Sequence, residues 1–196
     1  LMGAQTVVLP AESSLEAVLA ERPQGVILSS GPGNPERAPQ PLALVRGLLV
    51  LNARACATLS KPNASHGRGG LALLGIGLGM QLIALGLGAR VVRLPVGHRA
   101  DNVPVQDLAH GNIEITSQNH QYAVDPASLV CLPLLVTHTN LNDGSVEGLR
   151  HTTWPIWGIQ FQPEASPGPH DSLHLLYEFA NAAACCAIPA ECVSHA

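Results

Sequence analysis

The feature that most constrains this chain is an alternation. Short apolar runs stop abruptly at glycine- and proline-rich turns, and longer stretches with helical spacing follow them. Strands buried on both faces read as continuous apolar runs, and parallel neighbours need a crossover that is usually a helix. The run over 25–30 (GVILSS) ends at Gly31-Pro32-Gly33-Asn34-Pro35. The run over 71–76 ends at Gly77-Leu78-Gly79, and the run over 156–161 ends at Gln162-Pro163. Further strands are expected over 5–9, 90–94, 113–117, 134–139 and 146–149. Helices are expected over 14–20, 38–51, 80–87 and 171–183, with residues 61–70 as a surface loop. The pattern predicts an α/β fold: a doubly wound, mostly parallel sheet flanked by helices. Residues 1–184 form one domain in this reading, 185–196 a loose tail, and the abrupt start suggests that an N-terminal part of a longer subunit is absent.

Composition narrows the class. Of 196 residues, 46% are hydrophobic and 12% charged, so the chain can fill a core without disulfides. The net charge is -4 and Lys61 is the only lysine, which argues against nucleic acid as a partner. No apolar run is long enough to span a membrane. Five cysteines, two of them adjacent (Cys185 and Cys186), lack metal-ligand spacing and fit a reducing, cytoplasmic setting.

Three strand-to-helix junctions carry the functional signal: 29–35, 75–81 and 159–169. In open α/β sheets ligands bind beyond the strand ends, where helix N-termini present free N–H groups. The glycines at 75–81 do not follow the dinucleotide pattern G-x-G-x-x-G, because Met80 stands where the third small residue belongs.

Together these segments resemble the class I glutamine amidotransferases, in particular the domain found in carbamoyl-phosphate synthetase small subunits. Five ordered segments carry the likeness: GPGNP at 31–35, GIGLGMQ at 75–81, GHRADNVPV at 97–105, ITSQNHQYAVD at 115–125 and QPEASPGPHD at 162–171. The resemblance implies hydrolysis of glutamine through a cysteine, histidine and glutamate triad. Ammonia would pass to a large synthetase subunit that uses ATP and bicarbonate, in arginine or pyrimidine synthesis. No cofactor and no metal is implied in this chain. By resemblance Gly31 and Gly33 line the glutamine site, Leu78 N–H faces the oxyanion, and Gln81, Asn119, Gln121 and Tyr122 stand at substrate-contacting positions. His120 falls near the site without occupying the base position.

The sequence departs from the family at the chemistry itself. Gly77 stands at the nucleophile position and Gln162 at the base position; only Glu164 of the triad remains. Glycine has no attacking atom, and an amide does not exchange protons near neutral pH. Gln121 replaces a glycine, which is expected to narrow the pocket. The leading reading is therefore a disabled amidotransferase domain that docks on, or regulates, the large subunit. Two alternatives are an active glutamine-hydrolysing subunit with sequence changes or errors at 77 and 162, and a glutamine sensor using the remnant pocket. His170 and His174, four apart, lack a third ligand and are not taken as a metal site.

Overall fold

The computed structural model describes residues 3–58, 70–164 and 168–186. Among the described residues four α-helices and seven strands follow one another as α1 (Leu15–Ala20), β1 (Gly25–Leu28), α2 (Pro39–Thr58), β2 (Ala72–Ile76) and α3 (Leu78–Gly86). Then come β3 (Val91–Asp107), β4 (Ile113–Val124), β5 (Leu134–Asn140), β6 (Val146–His151), β7 (Ile156–Ile159) and α4 (Leu173–Ala184). All strands join one sheet in the order β1-β2-β7-β6-β5-β3-β4. The α/β class stands, with parallel pairing confined to β1-β2-β7. From β7 onward the pairings are antiparallel, so the sheet is mixed.

Helices cover both faces of the parallel part, and strand periodicity shows why. Leu71 and Leu73 face α2 and α3, packing with Val45, Leu48, Leu82 and Ile83. Ala72, Leu74 and Ile76 point to the other face, among Ile159, Phe161 and Phe179 of α4. Successive side chains alternate across a strand, so a strand covered on both sides must be apolar throughout. Every residue of β2 is accordingly buried. A third cluster seats Met80 and Ala84 of α3 on Val124, Leu134, Val146 and Leu149 of the antiparallel part.

Several expectations need correction. No strand forms over 5–9; Val7 and Val8 are exposed there and enter no ladder. The run at 25–30 has the composition of a strand buried on both faces, yet β1 is the sheet's edge strand and Ile27 is 49% exposed. The short strand at 90–94 is the start of a 17-residue strand, β3, interrupted by register shifts between Arg93 and His98 and between Ala100 and Val103. Helix α2 runs on to Thr58. Cys186, assigned to the tail, is buried against the α4 side of the core. The loop expected over 61–70 lies, up to residue 69, outside the described residues, as does the expected tail from 187.

Candidate functional site at the ends of the parallel strands

The three parallel strands end on one edge, and their C-terminal junctions meet there. Ile76 leads through Gly77 directly into α3, for which Gly77 is the N-cap residue. Gly77 adopts φ 54°, ψ -110°, outside the regions open to L-residues and accessible to glycine at little cost. Its N–H donates to Ile159 O at 2.7 Å, tying the turn to the end of β7. A Cβ placed on Gly77 would stand 3.1 Å from Ser30 Cβ, 3.6 Å from Ser30 Cα and 3.7 Å from Gln160 O. Gly77, which the resemblance sets at the nucleophile position, is thus framed by the loop after β1 and the end of β7.

The neighbouring glycines are fixed by close approach. A Cβ on Gly79 would come 2.0 Å from Leu28 O, and one on Gly75 would come 2.5 Å from Met80 N. The GIGLGMQ segment is therefore a backbone-on-backbone contact that no larger residue fits. Gly31 faces Leu78, whose Cδ2 would lie 3.0 Å from an added Cβ. Gly33, at φ 103°, is open to solvent.

Gln81, 3% exposed, hangs from the first turns of α3. Its Nε2 donates to Tyr122 O at 3.0 Å and to Gln160 Oε1 at 3.1 Å. Both side-chain donor directions are used inside the protein, so Gln81 fastens β4 and the β7 end to the turn. Gln162 follows, half-buried, held by an isolated antiparallel bridge to Ser117, its N–H donating to Ser117 O at 2.9 Å. Glu164 is exposed. Asn119 is exposed on β4 opposite Arg99. The Gln121 amide is engaged by β3, donating to Leu94 O at 2.9 Å and accepting from Arg99 at 3.2 Å.

Beyond Tyr122 lies a second group. His98 of β3 and His120 of β4 are register partners, with His98 Nδ1 3.2 Å from His120 Nε2. Glu147 of β6, with no exposed surface, places Oε1 3.6 Å from His98 Nδ1. The Glu147 carboxylate and, across from it, Asp143 at 3.0 Å from Nε2 raise His98 to about 9, so its ring is an imidazolium at neutral pH. Burial pushes His120 the opposite way, below its ordinary value. For Asp143, burial works to raise the carboxyl, but hydrogen bonds from Ser145 and His98 prevail and hold it low.

With this geometry in place, sequence relatives decide the family. The class-I glutamine amidotransferase family model matches residues 1–182. The chain belongs to that family. It is 42% identical over 179 residues to the carbamoyl phosphate synthase small chain of Staphylococcus haemolyticus, covering 91% of this chain and 44% of that one. Against the same protein of Listeria monocytogenes it is 44% identical over 172 residues, covering 88% and 42%. The chain therefore spans less than half the length of the curated relatives it matches. Among solved structures, a putative GMP synthase component from Thermoplasma acidophilum superposes with a TM-score of 0.69 at 20% identity, over 93% of this chain and 83% of that one. A glutamine amidotransferase from Thermotoga maritima follows at TM-score 0.52 and 17% identity, over 70% and 56%. These likenesses establish the fold.

The structure gathers Gly31, Gly77 and Leu78 at one junction and links Gln81 to Tyr122 through its backbone. It spends Gln121 on β3 and leaves Glu164 at the surface. Sequence reasoning missed the His98, His120 and Glu147 group. Its members come from three strands with no shared spacing, so only the β3–β4 register and the approach of β6 assemble them.

Proposed function

We propose that this chain is the amidotransferase domain of a carbamoyl-phosphate synthase small chain that has lost glutamine hydrolysis and acts as a docking or regulatory partner of the large subunit. The observation that supports the reading is Gly77, which caps α3 at the end of β2 in a positive-φ turn framed by Ser30 and Gln160 and has no attacking atom. Covalent catalysis by a triad needs its nucleophile, and oxyanion stabilisation alone recovers only a small part of the rate. Gln162, at the end of β7, offers an amide where proton transfer needs a group titrating near neutrality. Glu164 then has no imidazole to orient.

In this reading the chain needs no cofactor for its family chemistry; ATP and bicarbonate belong to the large subunit. The remnant pocket still holds glutamine weakly if its backbone lining at Gly31 and Leu78 suffices. The setting is the cytoplasm. No described helix is long and apolar enough to cross a membrane.

The test is glutamate release from glutamine by the purified chain with a large subunit, beside the double variant Gly77→Cys, Gln162→His. No release by the chain and release by the double variant is the expected result. Release by the chain itself would overturn the reading. Failure to capture a cognate large subunit in a pull-down would remove the docking half while leaving the loss of hydrolysis intact.

A further inference from the structure

The lone pairs around His98 can be assigned by following donors outward. Thr116 Oγ1 donates to Val103 O at 2.9 Å, so it must accept from Gln118 Nε2 at 3.2 Å. That fixes the Gln118 amide with Oε1 turned toward the histidines, 3.0 Å from His98 Nδ1 and 2.9 Å from His120 Nε2. His120 Nδ1 lies 2.9 Å from Tyr122 O, which can only accept, so Nδ1 carries the proton and Nε2 is bare. Glu147 Oε1 already accepts from Asn140 Nδ2 at 3.0 Å and Ser145 Oγ at 3.3 Å. Its Oε2 is buried with no hydrogen-bond partner among the described residues.

Three acceptors (Gln118 Oε1, His120 Nε2 and Glu147 Oε1) therefore converge on one nitrogen that has a single proton to give. Gln118 and His120 present lone pairs to each other at 2.9 Å with nothing between them. Buried polar atoms without partners are rare and costly, so an arrangement of this kind calls for a cation. One ligand atom from each of His98, His120 and Glu147 lies within 4.8 Å of the others. An ion bonded at about 2.1 Å to each in tetrahedral geometry needs its ligands about 3.4 Å apart. The observed 3.2 Å from His98 to His120 and 3.6 Å from His98 to Glu147 lie close to that spacing, while the His120 and Glu147 atoms stand within 4.8 Å and draw together on the ion as it binds.

The outer contacts match as well. Ligating histidines typically anchor the other ring nitrogen on a carboxylate or carbonyl, which fixes tautomer and orientation. Here His98 Nε2 rests on Asp143 Oδ2 at 3.0 Å and His120 Nδ1 on Tyr122 O. Both His98 and Asp143 line an open cavity of about 650 Å³ beside Val92 and Ser145, which gives an ion a way in.

We infer that His98 Nδ1, His120 Nε2 and the Glu147 carboxylate, with Gln118 Oε1 as a fourth donor, form a binding site for a divalent transition-metal ion of the zinc type. Two imidazoles and a carboxylate suit such borderline ions better than calcium or magnesium, which take all-oxygen sets. The ion replaces the His98 Nδ1 proton, satisfies the buried carboxylate, and joins β3, β4 and β6 at one point. This departs from the expectation that the chain holds no metal. It is independent of the hydrolysis question, because no proposed ligand belongs to the triad positions.

The experiment is titration of the chelator-stripped full chain with Zn²⁺ by calorimetry, and with Co²⁺ by absorption spectroscopy. One ion per chain is expected, with visible cobalt bands of tetrahedral type and no thiolate charge-transfer band. Asp143→Asn, which alters the outer anchor of His98 while keeping an Oδ1 acceptor for Ser145 N–H, should weaken binding by about 10–100-fold. His98→Asn and the near-isosteric Glu147→Gln should weaken it more, while His170→Asn and His174→Asn leave it unchanged. Circular dichroism of each variant separates lost binding from lost folding, and Asp143→Asn keeps the test decisive if a buried variant unfolds. No saturable binding overturns the inference; so does a thiolate signature, or affinity untouched by Asp143→Asn and Glu147→Gln.

Discussion

The turn at Gly77 and the cluster at His98 meet at the Tyr122 carbonyl, which accepts from Gln81 on one side and His120 on the other. They are opposites. At the turn the backbone is fixed in a positive-φ geometry framed by the neighbouring strand ends, and neither Gly77 nor Gln162 offers a nucleophile or a group that titrates near neutrality. At the cluster, strongly interacting side chains crowd together, and no role follows from the family resemblance. The contrast teaches that scaffold and chemistry are separable. The turn is held by contacts of backbone with backbone, which do not depend on a side chain at 77. The cluster is held by side chains, each of which depends on the others.

The sharpest way to break the comparison is to refill the turn. With a large subunit, Gly77→Cys with Gln162→His should raise glutamate release by about 10³-fold or more over the present chain. A double variant that folds yet stays inert would mean the frame has decayed along with the chemistry. Next in size is a blow to the frame itself. Gly79→Ala puts a methyl 2.0 Å from Leu28 O, and should cost about 3 kcal/mol or more in urea unfolding. Wild-type stability there would refute the close approach of α3 to β1.

Gly77→Cys alone should destabilise by about 1–3 kcal/mol, because φ 54° with ψ -110° burdens any side chain and Ser30 stands close. A Gly77→Cys chain clearly more stable than the present one would show that glycine brought no relief of strain. The smallest effect concerns pH. In the metal-free chain His98 is raised from 6.5 to about 9 on folding, chiefly by Glu147 and despite burial. A raised folded value contributes stability that is complete below about pH 6.5 and is lost as pH climbs through about 9. The urea midpoint should fall across that window, and His98→Asn should flatten the fall. A midpoint that rises with pH there, or a variant with an unaltered slope, would remove His98 from the account.

Much of this was legible in one dimension. Continuous apolar runs at 71–76 and 156–161 announced buried parallel strands, and the glycines over 75–79 announced a tight strand-to-helix turn; the structure adds that Gly75 and Gly79 are packed too closely for a Cβ. The resemblance sets Gly77 and Gln162 at the nucleophile and base positions by motif order, and their lack of an attacking atom and of a titrating group follows from residue type. Ser14 was readable as a cap, and its Oγ accepts from Ala17 N–H at 3.3 Å. These features are local, or repeat with the period of a strand or helix, so adjacent residues suffice to encode them.

What the tertiary structure alone decided is relational. Nothing in the run at 25–30 distinguishes an edge strand from a central one; sheet order does, by leaving Ile27 without cover. The expected strand stops at 94 and the motif at 97–105 has no element assigned to it, yet pairing with β4 draws that motif into a long bulged strand. That same pairing sets His98 against His120, and the approach of β6 brings the fully buried Glu147 to them. A site whose ligands come from three strands has no signature in spacing, because its distances are fixed by register and packing rather than by the number of residues between its members.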